Sequence, residues 1–262
     1  MTRIALLGLG EAGRMFATGL ATTADVVGWD PFVTEAPPGV RLAGSGAEAV
    51  AGAQIVLALT TAVHSESSLS ITIEAAAPGT LHADCATAEP SLKLALAERA
   101  AASGLRFADV AIMAPVRRGA DATPLLLAGP GAADLAGVLT TAGMPVTVVD
   151  GPAGDAAARK LLRSMLVKGL TGVMVESLRT SENLGVSDWF AEHLVETVVG
   201  LDRVALSGLL DGTARHSARR IEEMEAAAAM AETAGGRAEI SRAVADVLRS
   251  VAEEGVPHGG RL

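Results

Sequence analysis

Between a short apolar run and the start of a helical pattern the chain carries Gly8-Leu9-Gly10-Glu11-Ala12-Gly13. Nothing else in the sequence restricts the fold as much. Ile4 to Leu7 is unbroken apolar, as expected of a strand buried on both faces of a parallel sheet. From Glu11 onward, Met15, Phe16 and Leu20 fall at helical spacing. A G-x-G-x-x-G turn in this context has a physical purpose. The first glycine permits the tight turn, the second admits a pyrophosphate close to the backbone, and the third lets helix pack on strand. The N–H groups at the helix start then bind the anion. A second apolar strand ends on Asp30, at about the 20-residue spacing of a carboxylate that binds an adenosine ribose. The motif predicts a dinucleotide site at Gly8, Leu9, Gly10, Glu11, Ala12, Gly13 and Asp30.

Further strands and helices alternate up to residue 150. Val40–Leu42, Ile55–Leu59, Thr80–Ala83, Leu105–Ile112, Leu125–Ala128 and Val146–Val149 read as strands. Helices are predicted near Ser45–Val50, where Ser45 and Glu48 have capping-box spacing, and over Ser65–Ala77, Pro90–Ala102 and Asp134–Thr141. Such alternation implies a doubly wound parallel sheet. After Gly151 the Val-rich strands vanish and helical patterns run almost to Ala252. The first of these, Asp155 to about Asn183, would be about 40 Å long. The predicted fold class is α/β: an N-terminal Rossmann domain over residues 1–150, then an all-α domain over 151–262. The long helix is rich in leucine and methionine and needs burial on most sides. A half this small makes only a marginal core alone, so a homodimer through the C-terminal helices is expected. The tail from Gly255 reads as disordered.

Composition removes several classes of function. The net charge is −9 with no long basic run, so nucleic acid is not expected as a partner. One cysteine, Cys85, excludes an intramolecular disulfide and fits a reducing, cytoplasmic setting. No stretch approaches the ~20 apolar residues of a membrane span, and the apolar start is too short, with Glu11 following, for a signal peptide. No His, Cys, Asp or Glu cluster has metal-ligand spacing, so no metal is predicted. The chain has no tyrosine, which excludes mechanisms that use a tyrosine acid.

Three more motifs carry a resemblance. Asp84-Cys-Ala-Thr-Ala-Glu-Pro90 is similar to D-x-S-T-x-x-P, Asp109-Val-Ala-Ile-Met-Ala-Pro115 stands where D-A-P-V-S-G-G is found, and Gly154-Asp-Ala-Ala-Ala-Arg-Lys160-Leu-Leu-Arg-Ser164 where G-x-G-x-x-x-K-x-x-N-N is found. With the glycine motif, these resemble the β-hydroxyacid dehydrogenase and 6-phosphogluconate dehydrogenase superfamily over nearly the whole chain. The C-terminal half, with Lys160–Gly169 and Arg215–Met224, looks like a bacterial branch whose helical domain was catalogued as of unknown function.

The resemblance implies an NAD(P)-dependent oxidoreductase acting on a small molecule. Lys160 would exchange a proton with the substrate oxygen while hydride moves to or from the nicotinamide, which calls for an amine whose pKa the site can pull toward neutrality. Ser164, one helical turn on, replaces the usual asparagine and would orient the substrate with Thr87; Lys168 continues that face. Thr60 and Thr61, at a strand end that touches cofactor in the family, join the cofactor residues, with His64 beside them. Asp30 favours NAD(H) over NADP(H), because a carboxylate there repels a 2′-phosphate.

The substrate end departs from the pattern. Ala86 replaces the serine of D-x-S-T, and Met113-Ala114-Pro115 replaces Ser-Gly-Gly. The carboxylate cradle is thereby lost, since proline has no N–H and alanine no hydroxyl. Either the substrate is not a simple small hydroxy acid, or Arg117, Arg118 or Arg219 holds its anion. Two alternatives follow: an imine (C=N) reductase on the same scaffold, and a non-catalytic NAD-binding sensor or scaffold. A methyl or acyl transferase finds no support beyond the glycine motif. His216 reads as a solvated residue at a helix start, and Cys85 as a small buried residue rather than a nucleophile.

Overall fold

A computed structural model of the chain describes residues 1–116 and 119–257. The strands are β1 (Arg3–Leu7), β2 (Asp25–Trp29), β3 (Val40–Leu42), β4 (Ile55–Ala58), β5 (Leu81–Asp84), β6 (Arg106–Ile112), β7 (Leu125–Ala128) and β8 (Val146–Val148). Among them run α1 (Glu11–Leu20), α2 (Gly46–Val50), α3 (Ser65–Ala75), α4 (Pro90–Ala102) and α5 (Ala132–Thr141). Beyond β8 the chain is helical: α6 (Asp155–Asn183), α7 (Ser187–Val199), α8 (Arg203–Thr233) and α9 (Glu239–Glu254).

One eight-stranded sheet has the order β3-β2-β1-β4-β5-β6-β7-β8. Strands β1 to β6 are mutually parallel. Residue after residue of β4 and β5 is buried, which explains why β4 reads as a continuous rather than alternating apolar run; β5 buries His82 and Asp84 as well. Within the expected doubly wound, mostly parallel sheet one strand is reversed: β7 lies antiparallel to β6. A parallel return needs a crossover, normally a helix. The connection from Ile112 to Leu125 contains Pro115, Gly119 and Pro124, which are unsuited to one.

Local signals act as the sequence implies. The Ser45 hydroxyl accepts from the Glu48 N–H at 3.1 Å, capping α2. The Glu48 carboxylate reaches back to the Gly44 N–H at 2.9 Å, one residue before the usual partner in a capping box. Pro90 opens α4, where its missing N–H costs nothing. A 3₁₀ turn, Ala62–His64, precedes α3. His216 departs from its expected place at a helix start: it is exposed and sits inside α8, at a kink with φ −130° and ψ 31°.

The chain falls into two compact units, Met1–Arg163 and Ser164–Leu262. The first holds two large apolar clusters, one on each face of the sheet. One gathers Ile4, Leu6, Phe16, Leu57 and Leu127, the other Ala5, Leu7, Val27, Val50 and Val56. Alternate residues of β1 thus point to opposite faces, as strand geometry dictates. In the second unit a small cluster is formed by Ala228, Ala231 and Ala238. None of the described helices is long and apolar enough to cross a membrane.

Candidate functional site

Parallel register aligns Trp29, Leu7, Ala58, Asp84 and Asp109 in one row across the sheet. The loops that follow these residues therefore open on the same edge, the carboxyl edge where ligands bind in doubly wound folds. Four of the predicted segments start there: Gly8–Gly13, Leu59–Thr61, Cys85–Thr87 and Met113.

The glycines divide their work as the motif requires. Gly8 has φ +104°, and a Cβ there would lie 2.7 Å from the Leu59 carbonyl oxygen. A Cβ on Gly13 would lie 2.2 Å from the Gly8 carbonyl oxygen, so α1 can approach the turn only without one. A Cβ on Gly10 would meet no protein atom within 4 Å. Gly10 also caps α1 without any side-chain hydrogen bond to the first turn. Space and donors are thus kept for something outside the chain, and a pyrophosphate fits both. Gly8, Gly10, Asp30, Thr60, Thr61 and His64 line one cavity of about 660 Å³, shared with Trp29, Phe32 and Ile71. Its described lining holds no lysine or arginine. Thr60 and Ser68 hydroxyls stand 3.4 Å apart on its wall. Asp30 accepts from the Leu9 N–H and from the Phe32 N–H, both at 2.9 Å. Each carboxylate oxygen retains a second lone pair for a ribose hydroxyl.

Toward β5 and β6 the site rests on buried charge. Lys93, Asp84 and Asp109 are all fully buried. The Lys93 ammonium donates to the Asp84 carbonyl and to Asp84 Oδ1, each at 2.8 Å, and lies 3.1 Å from Asp109 Oδ1. Asp84 Oδ1 also accepts from the Ala86 N–H at 2.8 Å. Asp109 Oδ2 accepts from the N–H groups of Gly154 and Ala157, at 3.1 and 2.9 Å. It caps α6 from 45 residues away in sequence. Gly154 has φ +105°, and a Cβ there would come within 2.7 Å of the Pro90 carbonyl oxygen, so the starts of α4 and α6 meet closely.

Lys160 follows on α6, half-buried and still in the first unit. Its positive charge is felt at the Cys85 thiol, together with those of Lys93, Asp84 and Asp109. Burial, the largest influence, pushes that thiol up to about 12. Cys85 is therefore a protonated packing residue. Ala86 is buried and Thr87 exposed. Met113 packs with Ala111, Ala128 and Ala156, the last on the first turn of α6.

Other expected residues fall in the second unit or outside the described residues. Ser164 begins the second unit. Lys168 lines a different cleft of about 650 Å³ with Glu176, Arg179 and Arg237. Arg219 is exposed and paired with Glu223 at 3.4 Å, and the other two candidate anion holders, Arg117 and Arg118, lie outside the described residues. Sequence reading gave Lys93 no role. The signal was present, because Lys93, Leu96 and Ala100 occupy the buried face of α4, and a lysine in a core stripe must find a counter-ion. Among the described residues no group of three His, Cys, Asp or Glu side chains has metal-binding geometry.

Residues 3–149 match the family described as the NAD binding domain of 6-phosphogluconate dehydrogenase. The chain belongs to this family. Residues 182–251 match a second family, described as a domain of unknown function, DUF1932. An uncharacterized 28.5 kDa protein from Methanothermus fervidus is 32% identical over 120 residues, which span 45% of this chain and 46% of that protein. Over its full extent the fold is shared with solved structures. A conserved hypothetical protein from Sinorhizobium meliloti 1021 aligns with TM-score 0.62 and 28% identity over 99% of this chain and 92% of its own. An imine reductase from Myxococcus stipitatus in complex with NADP+ aligns with TM-score 0.80 and 16% identity, covering 98% and 96%. The chain thus has the fold of NAD(P)-dependent oxidoreductases of the 6-phosphogluconate dehydrogenase type.

Proposed function

We propose that the protein is an NAD(H)-dependent oxidoreductase that interconverts an alcohol and a carbonyl on a small molecule, with Lys160 as proton donor and acceptor. The observation that carries this reading is the place of Lys160. It sits half-buried, within Coulombic range of Cys85 at the end of β5, on a helix whose start is fastened to the same sheet edge. The cofactor, when bound, supplies or accepts the hydride. The chain's own residues hold it: the Gly8–Gly13 turn and the first N–H groups of α1 take the pyrophosphate, and Asp30 takes the adenosine ribose. Lys160 gives a proton to the substrate oxygen in reduction and removes it in oxidation. Ala86, Thr87 and Met113 shape the substrate end, which lacks the serine and Ser-Gly-Gly of the family's carboxylate cradle.

Asp30 and a cavity whose described lining holds no lysine or arginine favour NADH, since a 2′-phosphate would meet repulsion from Asp30 and no cation among those residues. Fluorescence titration is expected to give a lower Kd for NADH than for NADPH, and tighter NADPH binding would overturn the preference.

The lost cradle favours a second reading, reduction of a C=N bond, to which the imine-reductase fold lends support. NADH oxidation assayed against parallel panels of ketones and cyclic imines separates the two. Replacing Lys160 by Met is expected to lower turnover by about 10²–10⁴-fold, the range of general acid–base catalysis, with NADH affinity retained. Undiminished turnover in Lys160→Met would end the assignment.

A further inference from the structure

Asp84 and Asp109 open the two motifs of the substrate edge, yet neither is exposed to a ligand. Both are fully buried and share one lysine. Asp84 holds the Ala86 N–H, the first backbone group of the substrate segment. Asp109 holds Gly154 and Ala157, and Lys160 stands three residues beyond Ala157 on a continuous helix, about one turn. Lys93 joins the two carboxylates, with its Nζ 2.8 Å from one and 3.1 Å from the other. All these residues belong to the first compact unit.

We infer that Asp109, with Lys93 as counter-ion shared with Asp84, is a positioning residue that sets Lys160 and the Ala86–Thr87 segment in one common frame. The geometry distinguishes this from general core support. Of the two oxygens of Asp109, one is committed to the helix that carries Lys160 and the other faces Lys93. Asp84 differs in using a single oxygen, Oδ1, for both Lys93 and the Ala86 N–H. Displacement of α6 at its first turn is carried along the rod to Lys160, and misplacement by about 1 Å costs a reaction on the order of 10²-fold. Alanine at 109 removes the acceptor for two N–H groups. Asparagine keeps one oxygen acceptor and loses the charge that pairs with Lys93.

The chain has only three lysines, Lys93, Lys160 and Lys168, which permits a readout that needs no substrate. Reductive ¹³C-methylation labels the accessible Lys160 and Lys168 amines, and their NMR signals are assigned by Lys160→Arg and Lys168→Arg. In Asp109→Ala the Lys160 signal is expected to change its shift and titration midpoint while Lys168 keeps both, and Asp109→Asn is expected to fall between Asp109→Ala and wild type. Leu139→Ala, a buried change on α5 away from this network, controls for lost stability and is expected to leave Lys160 as in wild type. A Lys160 signal unmoved in folded Asp109→Ala, or moved equally by Leu139→Ala, overturns the inference. The turnover arm rests on the oxidoreductase reading. There, kcat is expected to fall about 10²-fold in Asp109→Ala, with partial rescue in Asp109→Asn and NADH affinity kept. Wild-type protein inactive on every ketone and imine would sink that reading alone, and the NMR arm would still decide the role of Asp109.

Discussion

At the scale of single residues, the three motif glycines separate stability from binding, which makes them informative to mutate. A methyl group on Gly10 meets no protein atom within 4 Å. Gly10→Ala should therefore fold with an unchanged melting temperature, yet bind NADH at least about tenfold more weakly, equivalent to ~1.4 kcal/mol, because the methyl enters the space kept for the pyrophosphate. Gly13→Ala should do the reverse in the first instance. Its Cβ would stand 2.2 Å from the Gly8 carbonyl oxygen, so α1 must move, at a cost of about 1–3 kcal/mol from overpacking. Calorimetry and NADH titration on both variants test the contrast. Equal losses of affinity and stability in the two would show that the turn is a structural feature only.

Elements meet through buried polar groups, and these were the least legible part of the chain. The strands and helices of the first unit could be read because apolar runs, Gly and Pro mark them locally. Pro90–Ala102 is a case in which proline at the start and Gly104 after the end set the bounds. Only the antiparallel β7 escaped, since strand direction depends on how a connection returns rather than on the strand's residues. That Gly8, Gly10, Asp30, Thr60 and Thr61 would gather around one cavity was legible for the same local reason. Lys93 was not, because its partners lie on two strands and the third element they hold, α6, starts far along the chain. Its removal should be costly: Lys93→Met leaves two carboxylates facing each other in the core, and breaking such a pair typically costs about 3–5 kcal/mol. Urea unfolding checks this, and a loss below about 1 kcal/mol would mean that water replaces the lysine.

Strand β5 also carries His82, fully buried, stacked on Phe107 and bonded through Nδ1 to the Thr72 hydroxyl at 2.8 Å. The Thr72 hydroxyl donates to the Ser68 carbonyl, so it accepts from His82, and Nε2 is left as the bare nitrogen. Burial lowers the His82 pKa from 6.5 to about 4, only partly offset by the charge of Asp84. Between these values the unfolded chain holds a proton that the folded chain does not. Stability contributed by neutral His82 is therefore complete above about pH 6.5 and is lost as pH falls toward 4. From pH 7 to pH 5 the loss should be about 2 kcal/mol. Urea midpoints for wild type and His82→Gln measure it as the difference in slope. Parallel pH profiles for the two proteins would show that His82 carries no such linkage.

For the whole molecule, the second unit sets the decisive question. Among its described residues the buried apolar ones are Ala228, Ala231, Ala238, Ala245 and Leu248, four of the five being alanine. Large apolar side chains are meanwhile exposed on three of its helices: Met165 and Leu166 on α6, Trp189 and Val199 on α7, Val204 on α8. A unit of this size has little margin even with a full core, and here the core is alanine. The exposed residues come from several helices, as expected of a core divided between chains. A second copy of the same chain supplies a surface of matching character, and the proposal of a homodimer rests on this. Light scattering with size exclusion should give twice the 26.4 kDa chain mass. Placing aspartate at Leu166, 71% exposed in the single chain, separates the alternatives. On a free surface it should change stability by no more than about 0.5 kcal/mol. In a shared core it buries an unpaired charge, and the protein should dissociate with loss of cooperative unfolding in the helical unit. A monomeric wild type, unaffected by Leu166→Asp, would refute the dimer and require some other partner to cover these helices.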